Sequence, residues 1–219
     1  MKALQRSVSF RDSLLFTGLI KAASFFKISF ILGSCAAFFS ATSIIVPMVG
    51  FFTGVSGSVV VCFLTLLVRY LVSGSFPFIF LAYHIPGFFA ALSLATSSFL
   101  IRAAVPLVCI AAFVLHPVGS QAWVYSLYWL IPLVVYVMPN KSLFLQSLAS
   151  TFIAHAVGSV IWVYANPMTP QMWTGLIPVV FVERMVIAAG LVLAIKIMSY
   201  TKHFCTYPIF LRMRRYFVA

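Results

Sequence analysis

The side chains able to do chemistry collect in the second half of the chain. In the segment 116–132, HPVGSQAWVYSLYWLIP, the residues His116, Gln121, Trp123, Tyr125, Tyr128 and Trp129 crowd the expected outer end of one apolar run. Tyr125, Tyr128 and Trp129 stand at i, i+3 and i+4, which is one face of a helix. Such a face can line a cavity and stack a planar ring, or it can form an aromatic belt at a membrane surface. Pro117 and Pro132 bracket the segment and set where a helix begins and bends. A second polar face lies in 151–167, TFIAHAVGSVIWVYANP, where His155, Ser159 and Trp162 fall at i, i+4 and i+7. Gly158 beside them permits close approach, and Asn166 lies toward the outer edge. An imidazole in an apolar run is either a satisfied interhelical hydrogen-bond group or part of a site facing a watery interior. Glu183, one of two acids in the chain, stands next to Arg184 in the last apolar run. Successive residues on a helix point about 100° apart, so the expected partners of Glu183 are His155, Arg102 or an amine on a substrate. The candidate binding set is therefore Tyr125, Tyr128, Trp129, His155, Ser159, Trp162, Asn166 and Glu183.

Other chemistries lack their parts. There is no HExxH, GxSxG, P-loop or pair of buried aspartates, so an enzyme is not expected. The four histidines, at 84, 116, 155 and 203, show no ligand spacing, so neither a metal nor a cofactor is expected. The cysteines at 35, 62, 109 and 205 are scattered singly and read as small buried hydrophobes.

The elements that must hold these groups are helices in a bilayer. Of 219 residues, 63% are hydrophobic and 7% charged, whereas a water-facing domain needs roughly 25% charged residues. The expected fold class is all-α: a polytopic integral membrane protein of six or seven transmembrane helices in one bundle. Candidate runs cover 28–48, 55–73, 76–98, 103–118, 122–138, 144–164 and 174–198. Three parts follow: an N-terminal interfacial segment over 1–27 with a short helix in 11–27, a transmembrane bundle over 28–198, and a basic tail over 199–219. Ten of the 14 lysines and arginines flank the apolar block. Membrane lipids explain the net charge of +12 without nucleic acid. Both basic ends are expected on the cytoplasmic side of a cell (inner) membrane, which favours six crossings. The segment 76–98, with Pro77, Pro86 and Gly87, is the run expected to be broken or re-entrant; 103–118, short and bearing Pro106, is the alternative.

Gly33, Ala37 and Ala41 repeat every four residues in the first run, a small-residue stripe that lets helices approach closely in lipid. Gly50, Gly54 and Gly57 follow, either as a plain turn or as a lid. This pattern, with aromatic and His-bearing outer ends in the later runs, resembles the substrate-binding S components of energy-coupling factor vitamin transporters. The resemblance covers about 28 to 198 and implies that a small vitamin-like molecule binds near the outer face. It further implies that Gly33, Ala37 and Ala41 dock onto a transmembrane coupling subunit driven by ATPases, and that 50–57 is a lid. A non-transporting membrane scaffold and a stand-alone secondary transporter are the competing expectations.

Overall fold

The computed structural model describes residues 10–30, 38–74 and 78–200 of the chain. It is built almost wholly of helices. Helix α1 (Phe10–Ala23) buries Ser13, Phe16, Thr17 and Ile20, a 3–4 spacing that makes one face. That face rests on protein: the Phe16 ring stacks on Phe52 at 6.1 Å. The helix expected within 11–27 is thus present, but it lies against the following helix.

The first expected span is different. Strands β1 (Lys27–Phe30) and β2 (Phe38–Ser40) pair antiparallel, with Lys27 opposite Ser40 and Phe30 opposite Phe38. The Ala41 N–H donates to the Phe26 carbonyl at 2.8 Å, closing the pair just before helix α2 begins. A continuous apolar run is equally good strand and helix material, and Ile28, Phe30, Phe38 and Phe39 are types that favour strands. Of the docking stripe, Gly33 and Ala37 lie outside the described residues, while Ala41 flanks α2 as its cap.

Helix α2 (Thr42–Ser73) consists of two helical stretches, 42–53 and 55–73, joined at Gly54. Gly54 has φ 74° and ψ −165°, a backbone region open essentially to glycine alone. The glycines expected to form one loop therefore have separate tasks. Gly50 is buried inside the helix, and a Cβ there would stand 1.7 Å from the Ala91 carbonyl oxygen. It is a crossing point at which α2 touches the backbone of α3 (Phe78–Ala95). Helix α7 (Leu143–Ala165) reaches the neighbouring residue, where the Ser150 hydroxyl donates to the Ala90 carbonyl at 2.9 Å. Without a hydrophobic force between helices in lipid, close backbone approach and such hydrogen bonds hold them together.

Helix α3 runs unbroken through Pro86, contrary to the expected break. Gly158 on α7 lies beside that ring, where a Cβ would make an ordinary contact at 3.5 Å. Beyond α3, a π-helical turn (Leu100–Ala104) carries Arg102, whose Nε donates to the carbonyls of Ser93 and Thr96 at 2.9 and 3.0 Å. These belong to the end of α3, so the buried guanidinium serves as a helix cap.

Next come α4 (Val105–Leu115), the single turn α5 (Pro117–Gln121), a 3-10 helix (Trp123–Leu130) and α6 (Ile131–Val137). Ser142 caps α7 by accepting the Leu145 N–H. Thr169 caps α8 (Pro170–Gly175) by accepting the Met172 N–H, and α9 (Ile177–Tyr200) completes the described chain.

Thr42–Ser73, Leu143–Ala165 and Ile177–Tyr200 are long and apolar enough to cross a membrane, and His84–Ala95, Leu100–Leu115 and Trp123–Val137 are shorter apolar segments. This is a membrane-embedded helical protein. Two cores divide it. One gathers Phe16, Ile20, Met48, Val49, Phe51, Leu94, Leu191 and Ile195 from α1, α2, α3 and α9. The other gathers Phe113, Tyr125, Trp129, Phe152, Trp173 and Ala188 from α4, the 3-10 helix, α7, α8 and α9.

Candidate functional site

The second core is where the chemistry-bearing residues meet. The 3-10 helix buries Tyr125, Ser126 and Trp129 and turns Trp123, Val124, Leu127 and Leu130 outward. Its aromatics divide between two faces: Trp123 is 52% exposed, while Tyr125 and Trp129 are 1% and 0% exposed.

Tyr125 is the hub. Its hydroxyl shares a hydrogen bond with His155 Nε2 at 2.8 Å and lies 3.4 Å from Ser159 Oγ. The two α7 residues are one turn apart, so a single hydroxyl can reach both. Tyr128 leans a different way. Its hydroxyl donates to the Ile177 carbonyl at 3.2 Å, and its ring stacks between Phe152 at 5.7 Å and Phe181 at 6.2 Å. Around Tyr125 the rings meet edge to face, the favoured arrangement for aromatic quadrupoles. Phe113 contacts Trp129 at 5.3 Å and Trp173 at 5.1 Å, and Tyr125 contacts Trp173 at 4.9 Å.

Arg184 enters the same nest from α9. It is 3% exposed, and its Nη2 lies 3.4 Å from Glu183 Oε2. Glu183 therefore faces its own neighbour, whereas His155 is held by Tyr125 and Arg102 by the α3 carbonyls. The 100° separation of the two backbone positions is spanned because the arginine side chain is long and flexible.

Two of the expected binding residues stand apart from this network. The Trp162 indole donates to Met168 Sδ at 3.0 Å, which ties the end of α7 to the loop after it. Asn166 closes α7: its N–H donates to the Trp162 carbonyl at 3.0 Å and its carbonyl accepts the Met168 N–H. The structure thus brings together Tyr125, Trp129, His155 and Ser159, sets Tyr128 beside them, and pairs Glu183 with the buried Arg184.

Phe113, Trp173 and Arg184 are central members that the spacing arguments passed over. Trp173 belongs to a short helix set off by the Thr169 cap and Pro170, a start signal readable in the sequence. Phe113 carried no signal, being one of 23 phenylalanines. The indole N–H groups of Trp129 and Trp173 are buried and have no hydrogen-bond partner. Each such group costs about 1–3 kcal/mol when left unmet.

Chemically, this is a nest of ring faces, hydroxyls, an imidazole and an ion pair, inside helices that are otherwise apolar. No protein-family model, curated protein or solved structure matches the chain.

Proposed function

We propose that the chain is a membrane-embedded substrate-binding subunit for uptake of a small ring-containing, vitamin-like molecule, energised by separate ATPase subunits. In this reading it works in the manner of the S components of energy-coupling factor transporters. The observation that carries it is the Tyr125–His155–Ser159 network beside the buried Arg184–Glu183 pair. Ionisable and polar groups are expensive inside a membrane and mark binding or transport pathways when they cluster in a bundle interior. Edge-to-face rings around the network supply the apolar walls, and the few polar groups fix orientation.

The three long and three shorter apolar helices are consistent with six crossings. Both termini would then lie on one side, the cytoplasmic face of the cell membrane. The test is purification in mild detergent with whatever partners hold on. Co-purified ATPase and a small molecule that His155→Ala protein has lost support the reading. Equal retention by His155→Ala protein counts against it.

A second reading, a non-transporting scaffold for partner membrane proteins, draws on the density of the same nest, where Phe113, Trp129 and Phe152 are 0% exposed. Association with other membrane proteins alone, without a small molecule, favours the scaffold.

A further inference from the structure

We infer that residues 42–53 are a re-entrant half-helix. The chain reaches mid-bilayer before them, returns through them to the side where α3 and α9 end, and makes its first crossing only with 55–73. The inference stands apart from the binding-subunit reading.

Neighbouring contacts give the direction of the half-helix. Val46 lies against Gly87, where a Cβ would come within 3.0 Å of it, and Gly50 lies against Ala91. One turn onward along 42–53 is thus one turn onward along α3, so the two run parallel. The half-helix runs parallel to α9 as well, since Ile44 lies against Gly190 while Phe51 shares a core with Leu191 and Ile195. The link to α3 then forbids a straight α2. Carried past Gly54 in a line, Ser73 would lie about 35 Å beyond the Gly50–Ala91 contact, with Phe78 about 20 Å before it. Only residues 74–77 join Ser73 to Phe78, and a link of that length reaches about 18 Å when fully extended. The chain must therefore fold back, and Gly54 is where it does, in a conformation open essentially to glycine. Gly57, one turn on, supplies the room for a tight reversal, because a Cβ there would strike the Thr53 side chain.

Length separates the two pieces. Residues 42–53 rise about 18 Å and 55–73 about 28 Å, against a hydrocarbon core of about 30 Å. The longer piece crosses, and the shorter one cannot. The chain also arrives from the end at which it turns: Phe16 stacks on Phe52 near the turn, whereas the Phe26 carbonyl accepts the Ala41 N–H at the tip. Helix α1 therefore approaches alongside, in the opposite direction. Basic residues mark this end, with Arg102 capping α3 and Lys196 in the last turns of α9, which makes it the cytoplasmic side. At the tip, Ile44 meets α9 at Gly190, about 9 Å of rise past Arg184. The half-helix is thus a floor beneath the aromatic nest, and Ala41, the last residue of the small-residue stripe, belongs to no crossing helix.

Cysteine accessibility tests this in the whole chain with its four native cysteines changed to alanine. Ser56→Cys is the informative position, because Ser56 is exposed and falls near the middle of Thr42–Ser73. A membrane-impermeant maleimide is applied to sealed vesicles of each orientation. Asn140→Cys, just before Leu143 of the aliphatic core, marks the side where α3 and α9 end, and Gln171→Cys in α8 marks the other. The expected result is that Ser56→Cys reacts from the Asn140 side and Ser73→Cys from the Gln171 side. Reaction of Ser56→Cys from neither side, as in a single straight crossing, or from the Gln171 side overturns the inference. Val55→Cys, its exposed neighbour, takes its place should that variant fail to extract. Gly54→Ala gives an independent readout. A reversal at Gly54 excludes alanine, so the thermal midpoint in detergent should fall by roughly 5 °C or more. In a straight helix alanine is the better helix former, and a midpoint that holds or rises overturns the inference. Neither result bears on what the nest binds.

Discussion

The two cores of this protein are built in opposite ways from the same bilayer-compatible residues. Around α1 and α2, the contacts are aliphatic and phenylalanine side chains, and the helices approach at Gly50 until backbone meets backbone. Around the 3-10 helix and α7, the rings carry hydroxyl, indole and imidazole groups, and a buried arginine stands among them. In the first, the polar side chains that α1 and α2 bury are three small hydroxyls, those of Ser13, Thr17 and Ser58. The second carries polar atoms whose hydrogen bonds must all be found, a cost that a purely structural core in lipid has no need to incur. The contrast teaches where to look for function: in the half that is expensive to bury.

The comparison breaks most severely at Arg184. Replacing it with leucine leaves Glu183 without the guanidinium beside it, and a loss of about 3–5 kcal/mol is expected, read as a fall in thermal unfolding midpoint in detergent. A variant as stable as wild type would remove the distinction between the two halves. Next is Gly50→Ala, which tests the apolar half by driving a methyl into the Ala91 carbonyl; separating α2 from α3 should cost about 3 kcal/mol. Glu183 chemistry and small-molecule occupancy should be untouched by it in whatever folded protein survives. Tyr125→Phe is the mildest. It keeps the ring but cuts the link to His155 and Ser159, at about 1 kcal/mol of stability. Bound small molecule should nevertheless fall sharply, so that stability and binding separate at this position and move together at Gly50.

Much of the architecture was legible from the sequence, and the exceptions have causes. The apolar runs over 144–164 and 174–198 correspond closely to α7 and α9, because long runs with capping residues such as Ser142 leave little choice. The run over 28–48 misled because hydropathy measures burial and is silent about hydrogen-bond pattern; a strand pair and a helix satisfy it equally. Pro86 misled in the other direction, since a proline costs a helix one hydrogen bond and a local kink without having to end it, and α3 continues through it. Within the site, His155 and Ser159 were placed together by their four-residue spacing. Trp162, three residues further along the same face, turned to Met168, a partner supplied by the loop and invisible to periodicity. The Arg184–Glu183 contact was missed because backbone direction was taken as side-chain reach.

Helix α9 belongs to both halves, as α3 and α7 also do. Arg184 sits in the polar nest while Leu191 and Ile195, on the same unbroken α9, anchor the aliphatic core. The seven residues from Arg184 to Leu191 amount to about 10 Å of rise, and a packed helix moves as a unit. A displacement of α9 along its axis at the aromatic end would therefore be carried to the aliphatic end by the same rigid element.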